Sequence, residues 1–515
     1  MRIMRRKYFL PFYLFTFLLL SSCGPSVPET YTESEELPKI YPDVIDVTIP
    51  QNIAPLTFML DEEADGMIAR YQAGEVEVVC EDKMQPSMSQ WHELMAQGGD
   101  IHVDVFVKKG DSWTHHKPFD IHVSKDSIDS YLSYRLIPSS FISYEALTIS
   151  QRCLENYDES VIYDNMLCGF EKEGQCINCH NYQQWNPERM QFHARQNCGG
   201  TVIAYDGEIK KINMRNDSIL SAGVYPAWHP WLKLIVYSTD KTHQSFHTTD
   251  KNKIEVYDLK SDIIAFDINH NEVTNLENDS TEFEVFPAWA PDGKTLYYCS
   301  AHYERQHPNR SEASELIERC EELKYNIYKK SFDPETMQFG PRELVFAADT
   351  LNMSAVLPRI SPDGRWLVFT MSTFGYFHIW HHDADLWVMD LEKRKEERGK
   401  WNEDSCVVAR PLDEVNSKDT ESYHTWSSNG RWLVVSSRRD DGTFTRPFFA
   451  HVDKDGKWSK PFELPQADPE YHRQFMRSFN IPEFMKGPVE IAPQTFADVL
   501  KGDGDPVKYV PQLRK

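Results

Sequence analysis

Cys176-Ile177-Asn178-Cys179-His180 sets two thiols three positions apart, with an imidazole directly after the second. This C-x-x-C-H spacing is the attachment pattern of c-type haem. Two thiols so spaced match the two vinyl groups on one porphyrin edge, and the adjacent imidazole becomes the proximal iron ligand. The expectation is one covalent haem c on Cys176 and Cys179, with His180 on the iron. Two other chemistries compete for the same residues. Cys176, Cys179, His193 and Cys198 have the spacing C-x2-C-x13-H-x4-C, which would close a tetrahedral structural zinc site. A Cys176–Cys179 redox disulfide is the third, without the βαβ setting that usually accompanies it.

A second axial ligand would come from Met190 or His193, in a stretch read as a helical turn that puts both on one face. Methionine would raise the potential and a second histidine would lower it. Histidine also gathers at His243 and His247, and again at His378, His381 and His382. Both groups follow an apolar strand by a similar offset, so they are expected on one rim, where a ligand, metal or distal haem ligand would sit. The plainer alternative is loop histidines packed among Trp-rich turns. Asp453-Lys-Asp-Gly-Lys457 is a hairpin turn and lacks the further carboxylates of a calcium loop. There is no G-x-S-x-G elbow, no Walker A loop and no G-x-G-x-x-G, so no hydrolase or nucleotide motif is present.

The start of the chain reads as an address. Arg2, Arg5, Arg6 and Lys7 precede an apolar run from Tyr8 to Leu20, and the segment ends in Leu20-Ser21-Ser22-Cys23. That ending resembles the bacterial lipobox, whose cysteine is acylated and becomes the first mature residue. Residues 1–22 are then a lipoprotein signal peptide, Cys23 the lipidated residue and 23–42 an acylated tether rich in Pro, Ser and Glu. An ordinary signal peptide with an incidental Cys23 is the alternative. Export places the chain at the cell outer membrane, facing the periplasm or the surface. That is also where haem is attached covalently and disulfides persist. Of the nine remaining cysteines, Cys153 and Cys168 are spaced to pair across a hairpin.

At 515 residues the chain needs more than one domain, and its 13% aromatic content favours strands. Losing the four positive charges of the leader takes the net charge from −24 to −28. Such a chain repels nucleic acid, and a protein partner would present a basic docking surface. Four segments repeat: Val224-Tyr-Pro-Ala-Trp228, Val285-Phe-Pro-Ala-Trp289, Val356-Leu-Pro-Arg-Ile360 and Ser422-Tyr-His-Thr-Trp426, each leading to a turn and an apolar strand. The turns are Asp292-Gly293, Asp363-Gly364 and Asn429-Gly430, with His229-Pro230 standing in for the first. Sheets repeated at this spacing close radially into a propeller. Unrelated hairpins in a sandwich are the alternative.

The expected fold is therefore all-β. A sandwich-like domain spans 43–135, with a short helix from Met88 to Met95. A propeller of five to seven blades, six favoured, spans 136–477, and residues 478–515 form an extended tail. Residues 143–163 and 200–212 would supply one blade, with the Cys/His motif inserted as a loop at 168–200. The repeats resemble the WD40-like repeat of TolB-type propellers. The whole layout, from Cys23 through Cys176-Ile-Asn-Cys179-His180 and Gly199-Gly200-Thr201 to the repeats, is similar to lipid-anchored TolB-like propellers with one c-type haem motif. These are often labelled cytochrome c-like or cytochrome c biosynthesis proteins. The resemblance implies extracytoplasmic electron transfer with the propeller as docking scaffold. A non-redox binding scaffold with structural zinc or a disulfide is the alternative. A third reading is an enzyme acting at a rim that includes His247 and His382.

Overall fold

The computed structural model describes residues 24–83, 86–138, 146–168, 176–393 and 409–514. The leader and Cys23 lie outside the described residues. Among those described, no helix is long and apolar enough to cross a membrane.

Six sheets of four antiparallel strands form the propeller. Their inner strands, in ring order, are Arg477–Met485, Cys176–Tyr182, Gly223–Trp228, Glu282–Trp289, Ser354–Ile360 and Glu421–Trp426. The first blade is built from both ends of the domain: Arg477–Met485 pairs with Tyr131–Pro138, followed by Thr148–Cys153 and Glu159–Asp164. What the sequence suggested was a trailing tail thus begins as the strand that closes the ring. After it the helix Pro493–Leu500 buries Phe496, Ala497 and Leu500 against the first two blades, and only then does the chain run along the outside. Asp505–Pro506 and Lys508–Tyr509 add as short parallel strands to the outer edges of the second and third blades.

The turns behave as their residues dictate. Gly293, Gly364 and Gly430 take φ of 55°, 76° and 67°, and the preceding Asp292, Asp363 and Asn429 accept a backbone N–H two residues on. In the third blade His229 replaces the acid. Its Nδ1 accepts the Leu232 N–H (3.0 Å) and its Nε2 donates to Gly293 O in the next blade (2.9 Å).

The N-terminal region is a seven-stranded mixed sheet with a small two-stranded sheet, Ile40–Tyr41 and Met59–Leu60, beside it, rather than a sandwich of two full layers. It is covered by the helix Met88–Ala96, capped by Ser87, whose Trp91 is buried and donates to Ile53 O. The remaining cover comes from the sixth blade. Val47, Ile49 and Val103 share one core with Trp432, Phe449 and Phe462. A sheet with one apolar face needs a second layer, and here the propeller supplies it.

Cys168 is bonded to Cys198, not to Cys153, which is a buried free thiol. The bond ties the outer end of the first blade to the turn before Gly200–Tyr205 of the second. It closes a loop of sequence separation 30, worth roughly 3–4 kcal/mol on chain entropy. The double substitution Cys168→Ser, Cys198→Ser should lower the urea midpoint accordingly. An unchanged midpoint would contradict the pairing.

Glu284, on the inner strand of the fourth blade, is fully buried with no partner for either carboxylate oxygen. Burial, reinforced by Asp262, Glu277 and Glu282, pushes its pKa up to about 9. A carboxyl whose folded pKa lies above its unfolded value favours the fold fully below about pH 4.5, and that contribution is lost as pH rises towards 9. Glu284→Gln should stabilise the protein by roughly 2 kcal/mol at pH 8 and flatten the loss of stability from pH 5 to 9. Equal pH dependence of wild type and variant in chemical denaturation would refute this.

Candidate functional site: a left-handed ring around the channel

The Cys/His motif is not an inserted loop. Cys176–Tyr182 is the inner strand of the second blade. It pairs with Arg189–Arg195 in the register Cys176↔Arg195, Ile177↔Ala194 and Asn178↔His193, then slips and resumes at Asn181↔Gln191. Cys179 sits in the slip with φ of 56°. The same slip occurs on every inner strand. In each a non-glycine residue adopts left-handed φ: Tyr225 (48°), Phe286 (54°), Leu357 (56°), Tyr423 (42°) and Ile481 (51°). The residue after each is Pro226, Pro287, Pro358, His424 or Pro482, and here His180. Cys179-His180-Asn181-Tyr182 is thus the second-blade copy of Tyr225-Pro226-Ala227-Trp228. The six left-handed residues together line a cavity of about 20 Å³ on the channel axis.

Within that ring the motif residues are sealed to different degrees. His180 is 1% exposed; among the described residues its ring has no side-chain partner, and the polar groups beside it are the Ser133 and Ile481 backbone. Burial and the Arg135 cation depress its pKa to about 3, so it is neutral. Cys179 is also buried, which raises its thiol pKa against the opposing pull of the Tyr225 backbone N–H and of Arg195 and Arg135. Cys176, nearer the strand start, is only half-buried.

Arg189–Arg195 is a strand, not the helical turn expected around Met190 and His193. Strand side chains alternate, so residues three apart face opposite ways. Met190 packs with Phe192 and Tyr163 in the core between the first two blades. His193 lies on the other face, 3.1 Å from Thr201 Oγ1, and burial with Arg195 nearby depresses its pKa to about 3. The zinc set is not assembled either, because Cys198 is consumed by the disulfide. Among the described residues no three His, Cys, Asp or Glu side chains are placed to share a metal ion.

A porphyrin does not fit this arrangement. Free space at the motif is about 20 Å³, whereas sites for small organic ligands run from about 300 to 1,000 Å³. The proximal imidazole is enclosed between inner strands, and the slip separates the half-buried thiol from the buried one.

What the motif does adjoin is a polar recess at the mouth where the inner strands begin. Arg195 reaches solvent there, and Cys176, Tyr225 and Asp240 are half-exposed around it. Cys176, Asp240, Cys179 and Tyr225 all favour the Arg195 charge against its burial. Burial raises the Asp240 carboxyl and Arg195 lowers it. Deeper in, Asp258 accepts from Ser261 Oγ (2.6 Å) and Tyr325 OH (3.0 Å), and burial holds it at about pKa 7. Sequence reasoning missed Arg195 and Asp240. The available signal was a basic residue ending the Arg189–Arg195 strand and an acidic one where the apolar run Leu234–Tyr237 turns polar.

The rim histidines do not gather at one place. A hairpin of Leu234–Phe246 and Ile254–Asp267, about twice the length of a blade strand, reaches from the third blade to the fifth. At its tip Glu255 pairs with buried His381 (2.7 Å), Asn252 accepts the His382 backbone N–H (3.1 Å), and Lys251 O meets His382 Nε2 (3.0 Å). His382 also pairs with Asp419, and His378 contacts Gly375 O. His243 is exposed against Tyr257 and His247 is half-buried, so neither faces the channel ring with the motif.

No protein-family model matches the chain, and no curated protein matches it. Among solved structures, prolyl oligopeptidase B from Galerina marginata is similar at 9% identity and TM-score 0.34, over 70% of this chain and 42% of that one. A DUF4784 family protein from Bacteroides caccae is similar at 6% identity and TM-score 0.26, over 84% and 96%. The propeller domain of Cps50 (Swd1) from Myceliophteria thermophila is similar at 9% identity and TM-score 0.29, over 75% and 97%. The chain spans about two fifths of the length of the peptidase. Likeness at this level carries no activity across.

If the motif is a repeat position, His180→Pro should be tolerated, since four of the other five blades have proline there. Removing a buried imidazole whose polar neighbours are the Ser133 and Ile481 backbone should change stability by no more than about 1–3 kcal/mol. A loss of more than about 3 kcal/mol in urea denaturation would contradict the equivalence.

Proposed function

We propose that the chain is an exported propeller, anchored by lipid on Cys23, that binds a small ligand in its central channel and presents an acidic outer surface to basic partners. The observation that carries this reading is the six-fold equivalence of the inner strands. It accounts for Cys179 and His180 as members of the channel ring, and for Cys176 as the thiol beside the polar recess. The channel offers what a binding site needs: concave walls of aromatic and proline side chains with a few convergent polar groups.

A second reading is a monohaem c-type electron carrier. It is favoured by the C-x-x-C-H spacing. Cys176, Cys179 and His180 would hold the group, which would supply one-electron chemistry. The second blade's inner strand would have to leave the ring to admit it.

The two separate in one experiment. Full-length protein made in a host with active cytochrome c maturation should give no pyridine haemochrome band after acid-acetone extraction. A retained band that vanishes in the double variant Cys176→Ala, Cys179→Ala would establish the second reading instead.

A further inference from the structure

Beyond the left-handed ring, at the mouth where the inner strands end, the channel widens into a chamber of about 140 Å³. Two opposite charges face each other across it. Arg359, from the fifth blade, has its guanidinium 3.9 Å from Glu483 Oε1 of the closing strand. That is too long for a hydrogen bond, and among the described residues the guanidinium donates to no other acceptor. The two form a long ion pair with the guanidinium partly exposed, so its N–H donors can turn to a ligand. Glu483 is held in place by Asn181 Nδ2 at 3.0 Å and Thr425 Oγ1 at 3.3 Å, leaving lone pairs on both oxygens. Trp185, Trp228 and Trp289 supply apolar wall around the pair. Asn181, Arg359, Thr425 and Glu483 all occupy the same repeat position, two residues after the left-handed one. The pseudo-symmetry of the fold gathers them at one level of the channel, where the third and fourth blades carry Ala227 and Ala288.

We infer that this chamber binds a small zwitterionic α-amino acid, its carboxylate forked on Arg359 and its ammonium on Glu483. The inference rests on the reading of the channel as the binding element and supplies the ligand class. A long, loosely made ion pair can open onto a molecule that carries both opposite charges. Such a ligand is neutral overall, so it replaces each partner without leaving Glu483 or Arg359 facing a net charge. A simple anion would satisfy Arg359 and leave Glu483 facing a second negative charge. Arginine rather than lysine suits the task, because its planar fork matches a carboxylate with two parallel bonds. The volume sets the size. About 140 Å³ of free space, open on one side to solvent, accommodates the main-chain groups of a small amino acid such as glycine or alanine.

The test is calorimetric titration of the purified full-length protein with L-alanine and with propionate, which lacks only the amino group. Alanine should bind saturably and propionate at least tenfold more weakly. Arg359→Ala should weaken alanine at least tenfold. The isosteric Glu483→Gln, which keeps the shape of the chamber, should weaken alanine at least tenfold and leave propionate unchanged. No saturable heat with alanine, equal affinity for propionate, or full affinity in folded Glu483→Gln would each overturn the inference. Haem-loaded protein that still takes up alanine would sink the haem-free reading while sparing this one. Haem-free protein that ignores alanine would do the reverse.

Discussion

Six inner strands converge on one axis, and a regular strand cannot turn a side chain onto that axis without breaking its ladder. The molecule solves this the same way six times. One residue on each inner strand slips out of register into left-handed φ and closes the channel. For non-glycine residues that conformation costs of order 1–3 kcal/mol each. It is held because the flanking pairs on either side of the slip remain in place. Proline after the slip makes no demand on the ladder and restricts the unfolded chain, which explains Pro226, Pro287, Pro358 and Pro482. The channel, its recess and its chamber are all defined by that ring.

The chemistry of the site follows from which residues fall on each level. At the ring itself, burial dominates. It makes His180 neutral and Cys179 a poor thiolate, so neither is poised for reaction where it stands. Above the ring, Arg195 and Asp240 share a solvent-reaching recess with Cys176. Below it, Arg359 and Glu483 face one another in the chamber. The six left-handed positions themselves carry no charged side chain, and the charged pair Arg359 and Glu483 lies two residues further along the same strands.

The propeller was legible because turn chemistry is local. Asp-Gly and Asn-Gly hairpins announce themselves, and four inner strands share a recognisable core with them. The other two inner strands were hidden for separate reasons. Ile481-Pro482-Glu483-Phe484 has no hairpin after it, since its partner strand lies at the other end of the domain. Cys179-His180-Asn181-Tyr182 has the right pattern, but its cysteine and histidine invite a chemical reading that outweighs a positional one. Met190 and His193 looked helical because a spacing of three is shared by helices and chance. Only the register with Cys176–Tyr182 shows them on opposite faces of a strand. The Cys168–Cys198 pairing depends on how two blades meet, which spacing does not encode. The proposed lipid anchor rests on Cys23, which lies outside the described residues.

The account stands on Cys179 being a buried ring member while Cys176 lies open beside it. Alkylation of the native protein with iodoacetamide, followed by peptide mapping, measures this directly. The account predicts free thiols at both positions, with Cys176 labelled in the folded state and Cys179 only after unfolding. Two thioether-blocked cysteines, or a Cys179 that reacts as readily as Cys176, would contradict it.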